Sequence, residues 1–136
     1  MQLKEILQTC AKMGQIEIPD QVFSGEQDYR SDPAANRLAF CCNLVLLQLH
    51  WQVNKDSTPI RADELKNTVK LPMVACGDRL VPFITAEIFC LGVLAEYFLQ
   101  IEDFPRFKTW NERYENALTA ARLEKNYKQM PVGRWI

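Results

Sequence analysis

Apolar residues recur with helical spacing from the third position of the chain. Leu3, Ile6, Leu7, Cys10 and Met13 fall on one face at three- and four-residue steps, which predicts an amphipathic helix over residues 3–13. Gly14 is its expected stop. From Gln15 to Ser31 the pattern lapses into a loop with Pro19 and Gly25, which Ile16, Ile18, Val22 and Phe23 could pin to the core. Asp32-Pro33 then reads as a sharp helix start. The carboxylate can accept from free backbone N–H groups, and proline suits the first helical position. This second helix is predicted to run through Trp51, with Leu38, Cys41, Cys42, Val45 and Leu49 as its stripe. Cys41 and Cys42, as neighbours, are expected on different sides of it, and Arg37, Gln48 and Gln52 interrupt the remainder.

Between Asn54 and Pro82 the pattern weakens, punctuated by Pro59, Pro72, Gly77 and Pro82. Ala62–Asn67 suits a short helical turn, and residues 68–71 a short extended piece. Residues 83–102 predict a third long helix, apolar on nearly every face. Its length is that of a membrane span, but Glu87, Glu96 and Gln100 lie within it and no basic cluster flanks it. Each central acidic residue costs about 2.5–3.5 kcal/mol to insert, so a buried central helix is expected. Glu87 and Glu96 would then sit at a polar seam or against a neighbouring subunit. Asp103 offers a further cap, with Pro105 in the first turn of a fourth helix running to about Met130. Its stripe is Phe107, Trp110, Tyr114, Leu118 and Ala121, followed by Leu123, Tyr127 and Met130. The step from 121 to 123 turns about 200° around the axis, so the last turns face elsewhere. The expected fold is mainly α: a small bundle of about four helices. An irregular connection, with room for a short β element, separates the second and third long helices. Residues 1–126 form the core and 127–136 a C-terminal tail.

Composition narrows the function classes. The 136 residues are 48% hydrophobic and 24% charged, with 16 basic and 17 acidic side chains and a net charge of −1. That is globular composition, and neither a general polyanion binder nor a solvating acidic tail. Cys10, Cys41, Cys42, Cys76 and Cys90 form no C-x-x-C pair, and they lie mostly in apolar runs, where a free thiol packs as a small hydrophobe. A reducing cytoplasm suits them. The first fifteen residues lack a continuous apolar stretch, so no secretory signal is expected. His50 is the single histidine and has no evident nucleophile or orienting carboxylate at catalytic spacing. Asp63-Glu64 and Glu17/Asp20 read as solvated loop charges, and with five glycines no phosphate-cradling loop can be assembled. No enzyme activity, cofactor or metal site is expected.

Charge along the chain says more. Residues 1–102 carry 9 basic and 13 acidic groups, whereas residues 103–136 carry 7 basic and 4 acidic groups. The basic end also holds Tyr127, Met130, Trp135 and Ile136. Aromatic, methionine and arginine side chains are the enriched anchors of protein interfaces. The tail therefore either folds back on its own core or docks on a partner, and the second reading is preferred.

In this order, the features resemble the head-to-tail adaptor (connector, neck) proteins of tailed bacteriophages. The opening, through Trp51, resembles the family's short helix, loop with proline, Asp-Pro start and helix ending in Leu-x-x-Trp, although here the end reads Leu49-His50-Trp51; Leu3, Gly14, Pro19, Asp32, Asn43 and Trp51 are the matching positions. LKNTVKLPMVACGDRLVPFITAEIF resembles the segment leading into the central helix. DFPRFKTWNERYENALTAARLEK is similar to the family's aromatic-x-x-x-Tyr-Glu-x-Ala-Leu helix, through Phe107, Trp110, Tyr114, Glu115, Ala117 and Leu118. Larger adaptors carry a β-rich insertion after the first helical pair, and residues 54–82 are too few for a full sandwich.

The resemblance implies a structural virion protein made in the host bacterial cytoplasm. It would form a ring, usually of twelve copies, between the portal and the tail or a further neck protein. DNA would pass through the ring without specific binding, and no membrane is involved. Leu123, Tyr127, Lys128, Met130, Arg134, Trp135 and Ile136 would bind the portal, and Arg37, Gln48, Glu87 and Glu96 would line the contact between subunits. The competing expectation is a non-enzymatic α-helical interaction or regulatory module.

Overall fold

The structure is a computed structural model that describes residues 1–53 and 61–129, with side chains described for 1–50 and 61–123. Met130, Arg134, Trp135 and Ile136 lie outside the described residues. Five α-helices and one hairpin follow in order: α1 (Leu3–Gly14), α2 (Asp20–Ser24), a 3-10 turn (Tyr29–Ser31), α3 (Pro33–Val53), β1 (Met73–Cys76), β2 (Arg79–Pro82), α4 (Ala86–Gln100) and α5 (Phe104–Gln129). The architecture is mainly helical, with four long helices and a two-stranded antiparallel sheet between the second and third of them.

α1 forms where the apolar spacing places it. Leu3, Ile6, Leu7 and Cys10 are buried, and Glu5 and Lys12 sit in the first and last turns, where each favours the helix dipole. Gly14 is not the left-handed stop expected of it: that conformation falls to Gln15, at φ 53°. Glycine is needed at 14 for closeness, since a Cβ there would lie 2.7 Å from Leu94 Cδ2. The following loop is more ordered than its polarity suggests. It includes α2 and the 3-10 turn, and it buries Val22 and Tyr29.

Asp32 caps α3 as the sequence predicts, its Oδ2 accepting from Ala35 N at 3.0 Å. Cys41 and Cys42 both lie inside, because α3 packs on α1 and α4 through an arc wide enough for two adjacent residues. Asn43 clamps α3 to the chain beyond residue 60. Its amide donates to Ala62 O at 2.9 Å, and its oxygen accepts from Ala62 N at 2.8 Å. Residues 64–67 form a turn rather than a helix, closed by Asn67 N donating to Glu64 O. The extended stretch after it is held by the N-terminus: Leu3 N donates to Asn67 O and Val69 N to Met1 O.

The hairpin pairs Cys76 with Arg79 across Gly77-Asp78. Gly77 has φ 63°, which a two-residue turn with glycine at its first central position requires. α4 starts three residues later than the apolar run suggests, because Thr85 caps it through Oγ1, which accepts from Ile88 N at 3.2 Å. It is the central helix, packed on α1, α3 and α5, and Phe89, Cys90, Val93, Leu94 and Phe98 are fully buried. No helix among the described residues is long and apolar enough to cross a membrane.

A tight corner leads into α5. Glu102 takes φ 61°, Asp103 N donates to Phe98 O at 2.9 Å, and Asp103 Oδ1 accepts from Arg106 N at 3.4 Å. Tyr114, Leu118 and Ala121 are buried against α4, with Phe107 and Trp110 half-buried beside them. The ring of Tyr114 lies on Gly92, where a Cβ would come within 2.8 Å of it.

Candidate interaction surface

α3 carries more apolar residues than the core can cover. Leu38, Cys41, Cys42, Val45, Leu46 and Leu49 face inward. Phe40 remains 59% exposed and Leu47 37%, with Leu44 half-buried between them. These three recur at four- and three-residue steps, so they line up over about 10 Å of helix surface. Arg37 and Gln48 stand eleven positions apart, about three turns, and therefore share a face within roughly 20°. The apolar stripe lies between them along the axis, on an arc of about 60° beside theirs. An apolar strip with polar ends is the anatomy of a protein interface. Composition alone hid it, because a helix apolar all round does not declare which apolar side chains stay outside; the 40-44-47 spacing was its only signal.

The four residues expected to form a subunit seam lie on α3 and α4, with Arg37 and Glu96 both near enough to Cys41 to act on its thiol. Arg37, half-buried, and Gln48, exposed, bracket the α3 stripe. Glu87 and Glu96 are nine positions apart on α4, hence about 180° around its axis. Glu87 is exposed in the first turn, where a carboxylate favours the helix dipole. Glu96, on the opposite side of the helix, is half-buried. Burial pushes the Cys41 thiol up to about 12, with Glu96 adding to the rise and Arg37 opposing it. Burial likewise pushes the Tyr114 phenol up to about 12, with Glu115 and Glu96 contributing. Glu96 thus lies within electrostatic reach of Cys41 on α3 and Tyr114 on α5.

At the far end of α5 the rotation read from the sequence is visible in Leu123, which is 66% exposed two residues after buried Ala121. The helix continues eight residues past Ala121, a reach of about 12 Å. Tyr127 and Lys128 belong to that helical stretch.

Reactive side chains are sheltered. Burial pushes the Cys42 thiol up to about 12. The Cys10 thiol is also raised, first by its hydrogen bond with Cys90 and then by burial, and its Sγ lies 4.0 Å from Cys90 O. His50 is 7% exposed, and among the described residues neither ring nitrogen has a hydrogen-bond partner. Among the same residues no group of three or more His, Cys, Asp or Glu side chains could hold a metal ion. Comparison with family models, curated proteins and solved structures gives no match.

Proposed function

We propose that the chain is a structural adaptor whose copies join through the outer face of α3 into a ring at the junction of portal and tail of a tailed bacteriophage. DNA would pass through this ring, and the exposed end of α5 with the residues after it would reach the portal. The observation that carries the reading is the Phe40–Leu44–Leu47 stripe held between Arg37 and Gln48. Large apolar side chains aligned on one exposed face mark interaction surfaces. The sequence resemblance supplies the kind of assembly.

Magnitudes fit assembly on a template. Covering what remains exposed of Phe40 and Leu47 is worth about 3–5 kcal/mol at ~25 cal/mol per Å². Association costs about 4–15 kcal/mol in lost freedom, so one such contact does not hold two free copies together. A partner that presents many seats in fixed geometry removes most of that cost for each added copy.

The test is mass measurement of the chain alone and with the portal ring of its own particle. The wild type should be small when free and assemble on the portal, whereas Phe40→Lys should stay folded and fail to assemble. A second variant lacking residues 127–136 should keep the fold, because the last buried residue described is Ala121, and should lose the portal. Normal assembly of Phe40→Lys removes the α3 interface, and normal docking of the truncated chain removes the tail assignment.

A further inference from the structure

A cleft of about 580 Å³ opens beside the first turns of α3, between that helix, the 3-10 turn and residues 61–63. Three guanidinium groups line it, those of Arg30, Arg37 and Arg61, against the single carboxylate of Asp63. This is a local surplus of positive charge on a half of the chain that is otherwise acidic.

The three arginines are not equivalent. Arg30 is committed: Nη2 donates to Asp63 O at 2.5 Å, Nη1 lies 3.6 Å from Asp28 Oδ1, and the guanidinium sits 4.7 Å from the centre of the Tyr29 ring. Tyr29 Oη donates to the same Asp63 carbonyl at 2.6 Å, which fixes this wall. Among the described residues, no carboxylate lies within ion-pair distance of Arg37 or Arg61. The side chain of Asn43, on the cleft wall, is fully used by Ala39 and Ala62. Asn36 and Gln100 complete the polar lining, and the exposed ring of Phe40 forms an apolar lip.

Guanidinium groups pair with planar carboxylates through two parallel hydrogen bonds. We propose that this cleft binds an acidic peptide segment of a protein partner, one carboxylate meeting Arg37 and Arg61 while a neighbouring apolar side chain lies on Phe40. A polynucleotide fits less well. It needs a row of cations along its phosphates, whereas among the lining residues two arginines are available, enough for one carboxylate. Arg37 and Phe40 also belong to the α3 surface, so the cleft is its charged end. The inference concerns what this end binds and does not depend on a ring.

The experiment titrates the full chain with four probes, following backbone and arginine side-chain NMR signals. The probes are the capped tripeptide Phe-Glu-Glu, its Phe-Gln-Gln counterpart, inorganic phosphate and a short oligothymidylate. The acidic tripeptide should give saturable shifts confined to the surroundings of Arg37, Arg61 and Phe40. Affinity should fall about tenfold or more for Phe-Gln-Gln, and likewise for the Arg37→Ala/Arg61→Ala variant, as expected for the loss of charge-assisted hydrogen bonds. Arg37→Gln/Arg61→Gln serves the same purpose should the alanine pair not fold. No saturable shift with the acidic tripeptide overturns the proposal. So do equal affinities for the two tripeptides, shifts that survive loss of both arginines, or tighter binding of phosphate or the oligonucleotide. Portal assembly is not measured here, so failure of this inference and failure of the ring remain separate results.

Discussion

Gly92 offers the sharpest test of the packing at the centre of the bundle. A Cβ at this position would stand 2.8 Å from Tyr114 Cε1 and Cζ and 3.2 Å from Cδ1. Carbon atoms prefer separations of about 3.5–4.0 Å, so Gly92→Ala forces the Tyr114 ring back by about 0.7 Å or more. The ring is buried between α4 and α5 and has little room to yield. Overpacking of this kind costs about 1–3 kcal/mol. Alanine returns about 1 kcal/mol in helix propensity, which leaves a net loss of about 1 kcal/mol. In a Tyr114→Leu background the obstruction is gone, and the same substitution should stabilise by up to about 1 kcal/mol. Urea unfolding followed by circular dichroism gives both differences, provided the slope m stays constant. The informative quantity is the coupling between the two substitutions. If Gly92→Ala has the same effect in both backgrounds, or stabilises the wild type, the close approach of α5 to α4 is not what this glycine serves. Gly14→Ala is the internal comparison. Its nearest obstruction is the methyl end of Leu94, which can rotate aside, so it should cost less than Gly92→Ala.

Other outcomes follow from individual side chains. His50→Leu should raise the urea midpoint by the equivalent of about 1 kcal/mol, since it replaces a buried ring whose nitrogens have no partner among the described residues; a lower midpoint would show that the imidazole is satisfied. Thr85→Ala should cost about 1 kcal/mol through loss of the α4 cap, read from the same unfolding curves. Thiol labelling of the native protein at pH 8 should be fast only at half-buried Cys76 and should disappear in Cys76→Ser, while buried Cys10, Cys41, Cys42 and Cys90 react after unfolding. Stability should decline in alkali. Folding raises the Cys41 and Cys42 thiols from 9.0 to about 12 and the Tyr114 phenol from 10.0 to about 12. The folded state therefore holds these protons more tightly, so their contribution is complete below pH 9 and is lost as pH rises towards 12. A melting temperature that stays flat from pH 8 to 12 would contradict the burial of these groups.

Much of this fold could be read directly because its helix starts carry chemical marks. Asp32 and Asp103 are short acceptors placed just before proline-bearing first turns, and both cap as expected. The beginning of α4 was less legible for a physical reason. Phe83 and Ile84 are as apolar as the helix they precede, so hydrophobic pattern could not separate them from it, and Thr85 marks the boundary only through its hydroxyl. The hairpin had a readable signal in the Gly77-Asp78 pair, with the apolar Met73–Cys76 before it and Leu80-Val81 shortly after, but the prolines at either end masked it. The α3 surface was half legible. Arg37 and Gln48 stood out by polarity, whereas Phe40 and Leu47 lay outside the predicted stripe without any polar mark, and they are exposed because α1 and α4 already occupy the other side. Glu87 and Glu96 drew notice for the same polarity, and they stand on opposite sides of α4.

The stitching of Met1 and Leu3 to residues 67–69 has a kinetic consequence. α4 and α5 are neighbours in sequence and can meet early, and α1 can meet α3, whereas its cover by α4 and its bonds to residues 67–69 await segments more than sixty positions away, at the entropic cost of closing a long loop. On a ribosome adding about 5–20 residues per second, α1 would emerge many seconds before α4 exists to cover it. Substitutions in α1 should accordingly hasten unfolding and leave the folding rate almost unchanged. α1, made before α4, is fully covered only after it.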